Sequence, residues 1–109
     1  FTGCTLLTSI TIPSSVTSIG ILTLSNCNSI KSLTVASGNA VYHSAGNCVI
    51  ETASKTLVAG CKNSVIPSDG SVTSISYSAF RDCDYLTSVT IPSSVTIIDD
   101  YAFMGCTYL

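Results

Sequence analysis

The chain has 109 residues, which suits one small domain or a few repeats, and only 9% of them are charged. The formal net charge is −2, and the four basic residues are too scattered for the basic patch that nucleic-acid binding needs: Lys31, Lys55, Lys62 and Arg81. No apolar run approaches the roughly 20 residues of a membrane span, so neither nucleic-acid binding nor membrane insertion is expected.

The first predicted elements are two short extended segments near the start of the chain. Residues 10–12 (Ile-Thr-Ile) alternate apolar and polar side chains, as a strand with one buried face does. Pro13 cannot donate to a strand ladder and ends this segment, and the two serines after it favour a turn. Residues 16–19 (Val-Thr-Ser-Ile) then predict a second, shorter extended segment with apolar ends.

The same pattern returns along the chain. Residues 4–19, Cys-x-x-Leu-x-x-Ile-x-Ile-Pro-Ser-Ser-Val-Thr-x-Ile, reappear almost unchanged at 83–98, and Cys27 begins a third copy 23 residues after Cys4. Because no unit this short can bury its apolar face alone, neighbouring units must stack. We therefore predict about four repeats whose first extended segments pair in one parallel sheet, namely residues 10–12, 33–35 and 89–91.

One unit departs from the pattern. After Val35 the expected Pro-Ser-Ser-Val is replaced by Ala-Ser-Gly-Asn, and the pattern resumes only at Ile66. Residues 47–60 hold two apolar runs around a short polar turn, which predicts a β-hairpin. We expect a single domain with regular units at about residues 1–35 and 66–109 and a hairpin-bearing irregular repeat at about 36–65.

These motifs resemble a known repeat family. Ile-Pro-Ser-Ser-Val-Thr-x-Ile at 91–98, with Ala-Phe-x-x-Cys-x-x-Leu at 79–86, is similar to the BspA-like (Treponema pallidum-type) leucine-rich repeats. The likeness covers essentially the whole chain, with Leu24 in place of the usual Phe and Ser76 in place of the usual Gly. With the 23-residue spacing it predicts a mainly β, right-handed leucine-rich-repeat solenoid with a parallel sheet and one inserted β-hairpin.

The family resemblance also implies a location and a role. Members are mostly large, secreted or surface-attached proteins of microbes, and several are implicated in adhesion to host or matrix proteins and to other cells. The resemblance therefore implies an extracellular or cell-surface location for a bacterial protein.

The six cysteines fall into two groups. Four of them occupy equal positions in their units: Cys4, Cys27, Cys83 and Cys106. Equal positions place the sulfur atoms alongside one another, which favours buried free thiols over disulfides. Cys48 and Cys61 flank the hairpin without a repeat equivalent, so both a disulfide and free thiols remain open for this pair.

No catalytic, metal or cofactor site is predicted. His43 is the one histidine, and it is interpreted as a loop residue near the hairpin rather than as a base for a cysteine nucleophile or a zinc ligand. The acidic pairs Asp82 with Asp84 and Asp99 with Asp100 fall in turns, where solvated side chains are more usual than the facing acids of a glycosidase. We expect a protein that is not an enzyme.

The strand positions that point away from the core form the candidate binding face, which is the usual docking surface of repeat arrays. They make a Ser and Thr ladder with one lysine at its edge: Thr8, Ser9, Thr11, Lys31, Ser32, Thr34, Thr87, Ser88 and Thr90. Hydroxyls donate and accept hydrogen bonds, but cross-strand Thr pairs also stabilise sheets, so both roles stay open. Aromatic anchors are expected on turns or on the hairpin: Tyr42, Tyr77, Tyr85, Tyr101 and Tyr108.

The function predicted from these features is binding or adhesion, with host or matrix proteins or cell-surface glycans as partners. A passive structural spacer with no ligand of its own is the first alternative, and an ice-binding threonine surface is a remote one. Phe1 and Leu109 fall in the same part of the repeat, so we also expect apolar ends that self-associate end to end.

Overall fold

The computed structural model describes residues 1, 3–20 and 24–109. In that part of the chain, seven short strands and no helix occur: β1 (Ser9–Ile12), β2 (Ser32–Val35), β3 (Tyr42–Ala45), β4 (Cys48–Glu51), β5 (Thr56–Ala59), β6 (Ser74–Ile75) and β7 (Ile97–Ile98). Strands β1 and β2 form one sheet, and the other five form a second sheet in the order β3-β4-β5-β6-β7. The predicted mainly β fold is confirmed. Nothing in the described residues forms a helix that could cross a membrane.

The first sheet confirms part of the predicted pairing. β1 and β2 are parallel, with Ile10 opposite Leu33 on the buried side and Thr11 opposite Thr34 on the exposed side. The third predicted segment, residues 89–91, forms no strand and does not join this sheet. The predicted three-segment parallel sheet is therefore wrong at its third member.

A shortened unit explains why the sheet stops. Five turns are closed alike, by an N–H that donates to the carbonyl of a cysteine three residues earlier: Leu7 to Cys4, Ile30 to Cys27, Ser64 to Cys61, Leu86 to Cys83 and Leu109 to Cys106. Cys61 thus has a repeat equivalent after all. In the first unit, residues 8–12 lie between this turn and Pro13. In the unit of Cys61, only residues 65 and 66 lie between Ser64 and Pro67. Two residues span only about 7 Å as a strand, too little to continue the sheet.

The irregular unit covers the open edge of β2 with side chains. The Leu33 N–H donates to Asn47 Oδ1 at 3.2 Å, and the Val35 N–H donates to Ser44 Oγ at 2.9 Å. These two side chains accept hydrogen bonds from the N–H groups that would otherwise bond to the backbone of a third strand.

The predicted hairpin at residues 47–60 is confirmed as the antiparallel pair β4–β5, and β3 adds a further antiparallel strand. The β3–β4 turn consists of Gly46 and Asn47, each with a φ of 58°, which is the geometry of a two-residue type I′ turn. β5 then pairs in parallel with β6, and β6 with β7. The sheet that begins in the insert therefore extends through the second extended segments of the later units.

Two hydrophobic clusters make up the core, and β4 separates them. Val49 packs into the cluster that contains Leu33, while Ile50 packs into the cluster that contains Phe80. The Phe80 ring is fully buried, as the repeat pattern predicts, and it stacks on Phe103 with ring centroids 5.0 Å apart. Glycine is required at residue 60, because a Cβ there would lie 2.0 Å from the Phe80 ring.

All six cysteines are free thiols, so Cys48 and Cys61 form no disulfide. Cys27 is buried as predicted, but the other three repeated cysteines are only half-buried, and the hairpin-flanking pair is the more enclosed. Burial raises the pKa of the Cys48 thiol to about 11 and that of the Cys83 thiol to about 12. Such thiols stay protonated at neutral pH and are poor nucleophiles.

Candidate binding face

The predicted Ser and Thr ladder is divided into two parts. Six of its members lie side by side on or next to β1 and β2, where the register places equivalent residues opposite each other: Thr8, Ser9, Thr11, Lys31, Ser32 and Thr34. The hydroxyls of Thr11 and Thr34 lie 3.1 Å apart and hydrogen-bond to each other. On this part of the face the Thr pair therefore stabilises the sheet.

The other three members lie on one wall of a groove of about 280 Å³. Residues 62–66 of the shortened unit form one wall, and residues 87–90 form the other, including Thr87, Ser88 and Thr90. The groove lies where the predicted sheet would have continued, since the shortened unit contributes no strand there. A concave site therefore interrupts a face that was expected to be flat.

The wall at residues 62–66 is fixed by hydrogen bonds to the insert and to Lys31, the residue before β2. The Val65 N–H donates to the carbonyl of Gly46 at 2.8 Å, and Ser64 Oγ donates to the carbonyl of Asn47 at 2.7 Å. The Asn63 side chain donates to the Lys31 carbonyl at 3.2 Å. The backbone of this wall is held in place, while the Val65 side chain is 70% exposed.

The opposite wall has a free backbone. The N–H and C=O groups of residues 87–91 make no hydrogen bond to any described residue. Val89 is half-buried and packs on the core, while Ser88 and Thr90 on either side of it are exposed. Buried and exposed side chains therefore alternate here as they do in β1, where Ile10 is buried between exposed Ser9 and Thr11.

Aromatic side chains lie beside this groove. The Lys62 ammonium lies 5.6 Å from the centroid of the Tyr85 ring, and the Tyr85 and Tyr108 rings are nearly parallel with centroids 6.3 Å apart. Both tyrosines are exposed, as anchors for a partner must be. The prediction for Tyr42 is wrong: it is buried, and its hydroxyl accepts a hydrogen bond from the Ile19 N–H at 3.2 Å.

The remaining polar groups serve the fold. Asp82 accepts a hydrogen bond from Ser25 Oγ at 3.1 Å, and Asp84 accepts one from Thr107 Oγ1 at 3.0 Å, so these carboxylates link different units rather than being only solvated. The prediction of a loop position for His43 is wrong: it lies on β3, and its Nδ1 lies 2.7 Å from Thr52 Oγ1. Among the described residues, no group of three or more His, Cys, Asp or Glu side chains is placed to hold a metal ion.

Apolar surface is also exposed at both outer strands of the repeat stack. A recess of about 400 Å³ beside β1 is lined largely by apolar side chains, among them Phe1, Ile12 and Val16. On β7, at the far edge of the second sheet, Ile97 and Ile98 are both more than half exposed. End-to-end self-association stays a prediction.

Comparison with known proteins identifies one family. A family model described as "BspA type Leucine rich repeat region" matches residues 1–109 in six copies. No curated protein gives a match.

Two solved structures of bacterial proteins are similar to this chain. A leucine-rich repeat protein from Eubacterium ventriosum has a TM-score of 0.70 at 23% identity, over 89% of this chain and 27% of that one. The pneumococcal vaccine antigen PcpA has a TM-score of 0.69 at 20% identity, over 92% of this chain and 25% of that one. The chain thus spans about a quarter of the length of each of these proteins.

Proposed function

Because the chain belongs to the BspA-type leucine-rich repeat family, we propose that it is a non-catalytic binding module of a bacterial surface protein and that it docks its partner in the groove between residues 62–66 and 87–90. The proposed partners are host or matrix proteins or cell-surface glycans. The surface location is proposed from the family resemblance alone.

The groove beside the exposed Tyr85 is the observation that carries this proposal. Concave sites bind partners better than flat ones, because they remove more of the partner's surface from water. Tyrosine is enriched at the centres of protein interfaces, and the exposed Tyr85, whose ring lies under the Lys62 ammonium, supplies one beside the groove. The flat part of the ladder is the weaker candidate, since Thr11 and Thr34 already bond to each other.

We also infer that the units wind as a right-handed solenoid. The β1–β2, β5–β6 and β6–β7 pairs are all parallel, and about 98% of connections between parallel strands of one sheet are right-handed. Further backbone hydrogen bonds link equivalent turns of neighbouring units, such as Phe80 N–H to Ala102 C=O and Gly3 N–H to Ser25 C=O.

A matched pair of variants tests the groove. Ser88 lies on the groove wall, and Ser9 occupies the same repeat position on β1, where the groove does not reach. The purified chain would be screened by biolayer interferometry against matrix proteins and mucin-type glycans. For any partner that binds, Ser88→Arg should weaken binding by about tenfold or more by blocking the groove, while Ser9→Arg leaves it within about twofold.

The two variants also separate the alternatives. Loss of binding in Ser9→Arg alone would place the site on the β1–β2 face and refute the groove. If no partner binds to the unmodified chain across the whole panel, the passive spacer becomes the better account. Thermal hysteresis measured on the same sample tests the ice-binding alternative, which needs a longer flat threonine face than two paired strands provide.

A further inference from the structure

The free backbone of residues 87–91 leads to an inference about the partner's chemistry. We propose that the groove binds an extended peptide segment, which adds as a parallel strand to the edge formed by residues 87–91. This inference rests on the proposed function, because it names the ligand class of the same groove.

The repeat register shows which backbone groups face the groove. In β2, the N–H groups of Leu33 and Val35 point away from β1, toward Asn47 and Ser44. Since alternate residues of a strand use opposite edges, Ser32 and Thr34 bond toward β1. Their equivalents in the later unit, 56 residues on, are Ser88 and Thr90. The N–H and C=O groups of these two residues therefore point into the groove.

The opposite wall is suited to accept a strand without competing for its backbone. The Val65 N–H is already bonded to Gly46 and the Ser64 N–H to Cys61, so neither is available to a strand in the groove. Val65 exposes an apolar surface, and Lys62 is the one charged side chain among the described residues that line the groove. An uncharged or acidic peptide fits this lining better than a basic one does.

Spacing favours a peptide over a glycan. Ser88 and Thr90 present a donor and an acceptor each, two residues apart, which is about 7 Å along a strand. A second strand repeats its own donors and acceptors at this interval, and β-strand addition to an exposed edge is a general mode of peptide recognition. The chain uses the same geometry within itself, because β1 supplies this pairing to β2.

The probe for the test comes from the chain itself. A fluorescein-labelled, end-blocked peptide of residues 7–13 carries the β1 sequence, which pairs in parallel with β2 in the position equivalent to the groove. Fluorescence anisotropy with the full chain should show saturable binding of this peptide. Two N-methylated forms of it block opposite edges, one at Ile10 and Ile12 and the other at Ser9 and Thr11.

Main-chain pairing predicts that the two edges behave differently. N-methylation at Ile10 and Ile12 should weaken binding by about tenfold or more, because these residues bond toward the following unit in β1. N-methylation at Ser9 and Thr11 should leave binding within about twofold. Equal effects of the two forms would overturn the proposal, since recognition by side chains alone does not depend on the peptide edge.

Two variants of the protein test the same contact from the other side. Thr90→Pro removes the N–H that points into the groove, while Thr90→Val keeps it and removes only the hydroxyl. Peptide binding should fall by about tenfold in Thr90→Pro and stay within about twofold in Thr90→Val. A loss in Thr90→Val of the same size would mean that the hydroxyl is the recognised group and would overturn strand addition.

The outcomes separate this proposal from the proposed function. If Thr90→Pro proves unfolded by circular dichroism, the N-methylated peptides with the unmodified chain decide the matter. If the peptide does not bind but Ser88→Arg still abolishes binding of a matrix protein or glycan, the groove is a binding site and strand addition is wrong. If neither the peptide nor any other partner binds, both proposals fail.

Discussion

Truncation of Phe80 to alanine should be the most damaging single change to a side chain of the regular repeats. The ring is 0% exposed and stacks on Phe103 at 5.0 Å, so its removal opens a cavity and breaks an aromatic pair. Replacing a buried Phe with Ala costs about 3–5 kcal/mol. A chain of this size has a total stability of roughly 5–15 kcal/mol, so Phe80→Ala removes a large fraction of it.

Two control variants distinguish the loss of stability caused by removing a buried ring from the loss caused by breaking the aromatic pair and from the effect of any substitution. Phe103→Ala breaks the same ring pair, but Phe103 is only half-buried, so its loss should cost about half as much. Thr90→Ala changes an exposed side chain and should stay within about 0.5 kcal/mol.

Urea denaturation followed by circular dichroism measures these differences. With a slope of about 2 kcal/mol per molar urea, the midpoint of Phe80→Ala should fall by about 1.5–2.5 M relative to the unmodified chain, provided that the slope is unchanged. Equal midpoints for Phe80→Ala and Thr90→Ala would refute the view that the repeated phenylalanine fills the core.

The remaining predictions concern a close contact, the buried thiols and the ends. Gly60→Ala should destabilise the chain, because the added Cβ would lie 2.0 Å from the Phe80 ring. Adding Phe80→Leu to this variant should recover part of the lost stability, which a double-mutant cycle of urea midpoints measures. The contribution of the thiols to stability should be constant well below pH 9 and fall as the pH rises from 9 to about 12, because unfolded thiols ionise near 9.0 while burial raises the pKa of Cys48 to about 11 and of Cys83 to about 12. Cys48→Ala should reduce this alkaline loss in melts between pH 8 and 11, and an unchanged loss would contradict the assignment. End-to-end association should appear as a concentration-dependent mass in sedimentation and should weaken in Ile97→Lys, whose exposed side chain lies on β7; a monomer at high concentration would count against it.

The regular units could be predicted from spacing, because a 23-residue repeat fixes which residues face the core. Ser9 opposite Ser32 and the burial of Phe80 both follow from it. The predicted strand at residues 89–91 does not form for a non-local reason. The link between Ser64 and Pro67 is too short to form the neighbouring strand with which these residues would pair. No pattern within residues 89–91 themselves reports that loss.

Two local features of the sequence indicate parts of the fold that the 23-residue spacing does not. The Gly46-Asn47 dipeptide between apolar runs is typical of a two-residue hairpin turn, and it identifies β3 as a third strand of the insert. Cys61 could have been aligned with the other turn cysteines if a polar residue, Ser64, were accepted where the repeat has an apolar one. The groove could not be predicted, because it results from the distance between two walls rather than from either wall.

The position of β4 between the two hydrophobic clusters has a consequence for cooperativity. In repeat proteins each unit is stabilised mainly by its neighbours, so an irregular unit in the middle can divide an array into parts that melt separately. Here Val49 and Ile50, adjacent in β4, pack into different clusters, and both are fully buried. Neither cluster can lose its packing without exposing one face of this strand. We therefore expect the insert to couple the units before and after it, so that they unfold in a single transition.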